Sequence, residues 1–345
     1  MRILVTGGGG FLGSAIVRIL YARGDDVVVL CRGRHPQLDE LNVTAVRGDI
    51  ADLSAVRDAA DGCDAIIHCA ARIGMWGAYK LYHSVNVVGT DNVITACRSH
   101  NIQKLVFTSS PSVAYDLDGS EGGDESLPYP RTYQSHYSAT KAAAERAVLA
   151  ANNRQLSTCA LRPHLIWGPR DTQLVPRIID RARKGRLRFV GDGRNLVDSI
   201  YIDNAAAAHL LALDRLEPGA TCAGNVYFLS QDEPLQISDL INRIIGAAGL
   251  PACNKYISLR AAHNLGTVFE TVYSLFGIKS EPPMTRFLAH QLAAPHWFDI
   301  SAAKRNLGYQ PDVSISEGID RLRNCLSTTG AGVESLSYSG MPWRQ

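Results

Sequence analysis

Five short β-rich apolar runs, RILVT, DVVVLC, DAIIHCA, KLVFTSS and STCALRP, occur in the first 165 residues, separated by segments of helical length. Strands alternating with helices are joined by crossovers, so they lie parallel with helices on both sheet faces. The expectation is an α/β fold, a doubly wound parallel sheet over residues 1–165. Beyond that point the rhythm loosens into the Pro- and Gly-punctuated pieces WGPRD, VGDGRN and SEPPMTRF. This predicts a smaller C-terminal lobe over residues 166–325, with core strands free to extend into it. A Gly/Ser-rich tail, 326–345, is expected to be loosely held. With 345 residues, 46% of them hydrophobic, the chain is long enough for a substantial core.

The first run leads straight into TGGGGFLGSAIVRIL, where Gly7, Gly10 and Gly13 open an amphipathic helix. Glycines there permit a tight turn and close backbone approach, and the helix N-terminus offers N–H groups to a pyrophosphate. Strand, glycine loop and helix together predict a dinucleotide site. The residue ending the second strand then selects between cofactors: a carboxylate suits the ribose hydroxyls of NAD, a cation the 2′-phosphate of NADP. Arg32 stands there with Arg34 close behind, favouring NADPH over NADH. The alternative is a solvated loop arginine paired with Asp25 or Asp26.

A net charge of +2 gives no global field for nucleic acid or an acidic membrane. The basic run holding Arg177, Arg181, Arg183, Lys184, Arg186 and Arg188 reads as a solvated helix face. Eight scattered cysteines without C-x-x-C spacing read as free thiols in a reducing compartment. The sequence opens on a strand-like MRILVTG, which suggests a cytoplasmic location. No cluster has zinc spacing, so no metal is expected.

In YQSHYSATKAAAERAV, Tyr137 precedes Lys141 by one helical turn, so both share a face. Spacing alone fits equally well two amphipathic side chains at a surface. The connection from Ser110 to Tyr137 is too long for a mere tether and is expected to border a cleft, with His136 near its edge.

The glycine loop, GDI at Asp49, HCAA at 68–71, NVVGT at 86–90, TSSPSV at 108–113, YSATK and RPHLIWGPRD resemble the extended short-chain dehydrogenase/reductases, a Rossmann-type family. The likeness reaches to about residue 323, and RPHLIWGPRDTQLVPRI, GDGRNLVDSIYIDN and EPPMTRFLAHQLAAPHWFD resemble the 3β-hydroxysteroid dehydrogenase-like branch. Within the branch, the chain resembles the 2-alkyl-3-oxoalkanoate reductases of long-chain olefin biosynthesis. The sterol-4α-carboxylate 3-dehydrogenases are related.

The resemblance implies that Tyr137 exchanges a proton with the substrate oxygen, Lys141 holds the cofactor ribose and favours the phenolate, and Ser110 hydrogen-bonds that oxygen. Ser109 and Ser112 are the competing hydroxyls. It also assigns Phe11, Leu12, Asp49, Ile50, Ala70, Ala71 and Pro163 to the cofactor site. Bringing a tyrosine from a pKa of about 10 to about 7 takes roughly 4 kcal/mol. One ammonium at about 4 Å supplies about that much at an effective dielectric of about 20.

The resemblance implies that sugar-nucleotide members of the superfamily commonly carry an arginine where Val197 stands, so an apolar substrate is expected. A lipid-like β-keto acid needs a cation for its carboxylate, and Arg170, Arg177 and Arg194 are the candidates. The alternatives are a sterol or 3β-hydroxysteroid dehydrogenase using NAD, and a non-catalytic cofactor sensor or scaffold. The resemblance further implies a homodimer and association with other olefin-pathway enzymes.

In residues 256–287, Leu265, Val268, Phe269, Val272, Tyr273 and Phe276 recur at helical spacing. Charged residues interrupt every run short of the length a spanning helix needs. A core-packing helix and a mobile cover for a lipid-like substrate are the two readings.

Overall fold

The computed structural model describes residues 1–114 and 118–328. A seven-stranded parallel sheet forms its centre, in the order Asn225–Leu229, Ser157–Pro163, Lys104–Thr108, Ala65–His68, Arg2–Thr6, Asp26–Cys31 and Thr44–Arg47. All five apolar runs are strands of this sheet. Side chains alternate across it: Ile3, Val5 and Val29 join one core, while Leu4, Val28 and Leu30 join the other. Helices Phe11–Arg23 and Ile202–Arg215 cover the first face; Leu53–Ala60, Gly89–Ser99 and His136–Ala150 cover the second.

The chain winds outward from Arg2–Thr6 in one direction, then crosses over and builds in the other from Ala65–His68. The carboxyl ends of these two neighbouring strands define the switch point where such sheets bind ligands. Thr6 and His68 stand there, followed by the glycine loop and by Ala70.

The sheet does not stop at residue 165. Asn225–Leu229 pairs with Ser157–Pro163 from Asn225↔Cys159 to Leu229↔Pro163, so the first unit takes an edge strand from the second half of the chain. A separate four-stranded sheet has the order Leu235–Gln236, Leu196–Val197, His296–Phe298 and Ser120–Gly123. Its last strand belongs to the long connection before Tyr137, fastened by Ser120 N–H donating to Pro295 O at 2.9 Å. Gly119, at φ 83°, is required there, because a Cβ would fall 2.0 Å from that same oxygen.

The basic run is for the most part the solvated face expected, with Arg183, Lys184, Arg186 and Arg188 exposed. On helix Leu174–Arg183, Arg177 also pairs with Glu281 at 2.6 Å and Arg181 donates to Pro283 O at 2.6 Å. Of the two readings of helix Leu259–Leu275, burial disfavours core packing: only Ala262 and Gly266 are buried, Phe269 and Tyr273 are half-buried, and Leu265, Val268, Val272 and Leu275 are exposed. Among the described residues no helix is long and apolar enough to cross a membrane. All eight cysteines are free. The tail expectation falls on 329–345 for the most part, outside the described residues.

Candidate active site

At the switch point Gly7 turns with φ 71°, and a Cβ on it would lie 2.8 Å from the backbone of Ala70. Gly10 N–H donates to Gly7 O at 2.9 Å and Gly10 caps the helix that begins at Phe11. A Cβ at Gly13 would strike Gly7 O at 2.2 Å, so the helix start seats against the loop only with glycine at that position. Phe11 and Leu12 occupy the first turn, where N–H groups lack intrahelical acceptors. Ala70 N–H donates to the Thr6 hydroxyl at 3.2 Å, locking the two strand ends together with Ala71 following.

Arg32 is exposed at the end of strand Asp26–Cys31. The carboxylates that could have neutralised it are taken: Asp25 pairs with Arg23 at 2.6 Å and Asp26 with Arg2 at 3.6 Å. Arg34 pairs instead with Asp39 at 2.9 Å. Arg47 donates to the Arg32 backbone carbonyl at 3.2 Å. On the neighbouring strand end Asp49 is exposed and accepts from Ala51 N–H at 2.9 Å, while Ile50 is buried. This cradle fits a dinucleotide phosphate: a glycine turn a Cβ would fill, a helix N-terminus, and a guanidinium without a carboxylate partner among the described residues.

Tyr137 and Lys141 lie on helix His136–Ala150, capped by the Ser135 hydroxyl. Ser110 opens the turn Pro111–Val113 at the end of strand Lys104–Thr108, and its hydroxyl lies near enough to the Tyr137 phenol to favour the phenolate. Of the competing serines, Ser112 bonds to Ser110 at 3.0 Å, and the buried Ser109 hydroxyl has no hydrogen-bond partner among the described residues. Pro163 ends the adjacent strand, buried. Ser112, Thr132, Tyr133, Gln134, Ser138, Phe287 and Gln291 line a small cleft, reached through Ser112, which bonds to Ser110, and Ser138, which follows Tyr137. His136, at the helix start, is exposed against Tyr79, with ring centres 5.5 Å apart.

Electrostatics here depart from the single-cation expectation. Burial pushes the Tyr137 phenol above its ordinary value, with Ser110 acting in the other direction. Burial likewise pushes the Lys141 ammonium down to about 7, opposed by the charge of Glu145. Lys141 Nζ donates to Thr108 O at 2.5 Å and stands 3.9 Å over the Phe107 ring. The physical reason is desolvation: both groups leave water, and each is driven towards its neutral form.

Two supporting networks carried no recognisable signal in spacing. One turn beyond Lys141, Glu145 is fully buried and pairs with Arg162 at 2.6 Å, while the Tyr129 hydroxyl donates to the same carboxylate at 2.6 Å. On the other side Thr6 bonds His68 at 2.7 Å and His68 bonds Thr90 at 3.0 Å. Thr90 donates to Asn86 O at 2.6 Å, and the Asn86 amide donates to Thr140 at 3.0 Å. The chain of bonds runs from the glycine-loop strand to the helix bearing Tyr137. Burial beside Lys141 pushes His68 down to about 3, so it is neutral.

The carboxylate-binding candidates are not gathered at the cleft. Arg177 is paired with Glu281, Arg170 lies near Arg18 on the opposite helix layer, and exposed Arg194 is held at its backbone by Asp192. Val197 is buried in the small sheet.

A switch-point dinucleotide cradle beside a Ser–Tyr–Lys set defines an extended Rossmann-type NAD(P)-dependent oxidoreductase. The chain belongs to the 3-beta hydroxysteroid dehydrogenase/isomerase family, whose pattern residues 4–260 match. It is 52% identical to a 2-alkyl-3-oxoalkanoate reductase of Stenotrophomonas maltophilia, over 94% of this chain and 98% of the relative. It is 34% identical to the decarboxylating sterol-4-alpha-carboxylate 3-dehydrogenase of Mus musculus, over 93% of this chain and 89% of the relative. Among solved structures it resembles the NAD complex of the Thermus thermophilus UDP-glucose 4-epimerase, with TM-score 0.73 and 25% identity, covering 96% of this chain and 100% of that one.

Proposed function

We propose that the protein reduces the 3-oxo group of a long-chain 2-alkyl-3-oxo acid to the 3-hydroxy acid with NADPH, as a cytoplasmic step of olefin hydrocarbon biosynthesis. The observation that carries this reading is the placement of Tyr137 and Lys141 on one helix, with Lys141 Nζ donating to Thr108 O at 2.5 Å at the strand end that leads to Ser110; burial raises the Tyr137 phenol and so favours its protonated form. A reductase needs the acid in that form. The 52% identical relative supports the substrate class.

The bound cofactor supplies the hydride. Tyr137 donates its proton to the 3-oxygen, and Ser110 hydrogen-bonds that oxygen as charge develops on it. Lys141, whose ammonium burial pushes down to about 7, would hold the ribose hydroxyls and return a proton to the phenolate. Gly7, Gly10 and Gly13 with the Phe11 and Leu12 N–H groups would receive the pyrophosphate, and Arg32 the 2′-phosphate. Asp49 and Ile50 would serve the adenosine end of the cofactor; Ala70, Ala71 and Pro163 would serve the nicotinamide end. Residues 166–325, with the strand Ser120–Gly123 from the long loop, make the substrate lobe.

The test is direct. Purified protein, NADPH and a synthetic 2-alkyl-3-oxo acid should give the 3-hydroxy acid with one NADPH consumed per product. Turnover of a 3β-hydroxysterol with NAD+ in place of the oxo acid would overturn the reading.

A further inference from the structure

Helix Leu259–Leu275 is seated by a small face: a Cβ at Gly266 would lie 2.6 Å from the backbone of Thr285 and Arg286, and Ala262 is fully buried. The opposite stripe, Leu265, Val268, Val272 and Leu275, repeats every three or four residues and is exposed, Val268 at 57% and Leu275 at 77%; Phe276, next in sequence, is 72% exposed. A second exposed segment joins it. The Trp76 indole donates to Ile278 O at 3.1 Å, its ring meets Tyr273 edge-on at 6.2 Å, and Met75 N–H donates to Glu281 at 3.0 Å. Ile73 and Met75, both exposed, thereby extend the same apolar rim.

Charge around this rim is one-sided. The only acids in residues 72–82 and 256–290 are Glu270 and Glu281, paired with Arg286 at 2.7 Å and Arg177 at 2.6 Å. Lys80, Arg260 and Lys279 are exposed with no ion pair among the described residues. An apolar stripe edged by unpaired cations complements an anionic lipid surface, with the stripe in the acyl boundary and the cations at the headgroups. A second copy of the chain would instead bring like charges together across a two-fold axis.

We propose that the stripe of helix Leu259–Leu275, with Ile73 and Met75, docks this protein in the plane of an anionic lipid surface. The seat of the stripe leads into helix Arg286–Ala293, whose Phe287 and Gln291 line the cleft, so docking turns the cleft's edge towards lipid. The surface stands on exposure and charge alone, whichever acid is reduced.

Flotation of the full chain with phosphatidylcholine vesicles, with and without phosphatidylglycerol, tests it. The wild type should float with the anionic vesicles and be released by high salt. Val268→Asp with Val272→Asp should lower the bound fraction about tenfold or more, with turnover of a short, water-soluble 3-oxo acid unchanged. Should that pair fail to fold, Leu275→Ser with Phe276→Ser, at the most exposed positions, reads the same loss. Lys80→Glu with Lys279→Glu should abolish the preference for anionic vesicles. Wild-type protein that stays in solution with both vesicles, or variants that float as well as wild type, would overturn the proposal. So would a dimer, measured by light scattering, that the apolar substitutions convert to monomer without altering flotation.

Discussion

The Lys141 ammonium donates to the Thr108 carbonyl at 2.5 Å, from within a helix that is itself pinned to the glycine-loop strand through Thr140, Asn86, Thr90 and His68. The lysine is thereby held at the carboxyl end of the strand that leads to Ser110. Its proton is loosened by burial, and its consequences for stability have a definite sign.

The unfolded chain holds the Lys141 proton up to its ordinary 10.5, and the folded, cofactor-free chain releases it at about 7. Between these values the unfolded state binds more protons, so this group makes stability rise with pH; below about 7 the cost of the buried charge is present in full. The melting-temperature difference between wild type and Lys141→Met should therefore shift in favour of wild type as pH increases from about 7 to about 10. A difference that is flat across this range would mean that the ammonium is solvated.

Arg32 has no carboxylate partner among the described residues, where Asp25 and Asp26 are engaged by Arg23 and Arg2. Arg32→Asp should shift the ratio of catalytic efficiencies from NADPH towards NADH by about tenfold or more, as a carboxylate repels the 2′-phosphate and accepts from a ribose hydroxyl. Steady-state rates with both cofactors give the ratio. An unchanged ratio would remove Arg32 from the site and turn attention to Arg47.

Glu145 and Arg162 are both buried and meet at 2.6 Å. Glu145→Gln strands a buried guanidinium and should cost about 3–5 kcal/mol of stability. Urea unfolding measures this; a loss under about 1 kcal/mol would show that water reaches Arg162.

Much of this was legible in the sequence where a backbone need imposes a residue type. The glycine loop is one case, since Gly7 and Gly13 have no room for a Cβ. The apolar strands are another, buried on both faces and therefore continuously apolar. Thr44–Arg47 was not, because an edge strand with mostly exposed residues has no such run. Asn225–Leu229 lies after the rhythm breaks, and only pairing identifies it. Periodicity in 256–287 showed an apolar stripe but could not say which side faces the protein; the small residues Ala262 and Gly266 decide that. The Glu145–Arg162 pair joins residues 17 apart in sequence and follows from the tertiary fold alone.

The central claim is that Tyr137 is the acid of an NADPH-dependent 3-oxo acid reduction, and single-turnover kinetics of Tyr137→Phe test it most directly. With NADPH bound and a 2-alkyl-3-oxo acid added, the variant should bind the cofactor as tightly as wild type and turn over about a hundredfold or more slowly. Product formation at near wild-type rate in that variant would contradict the account.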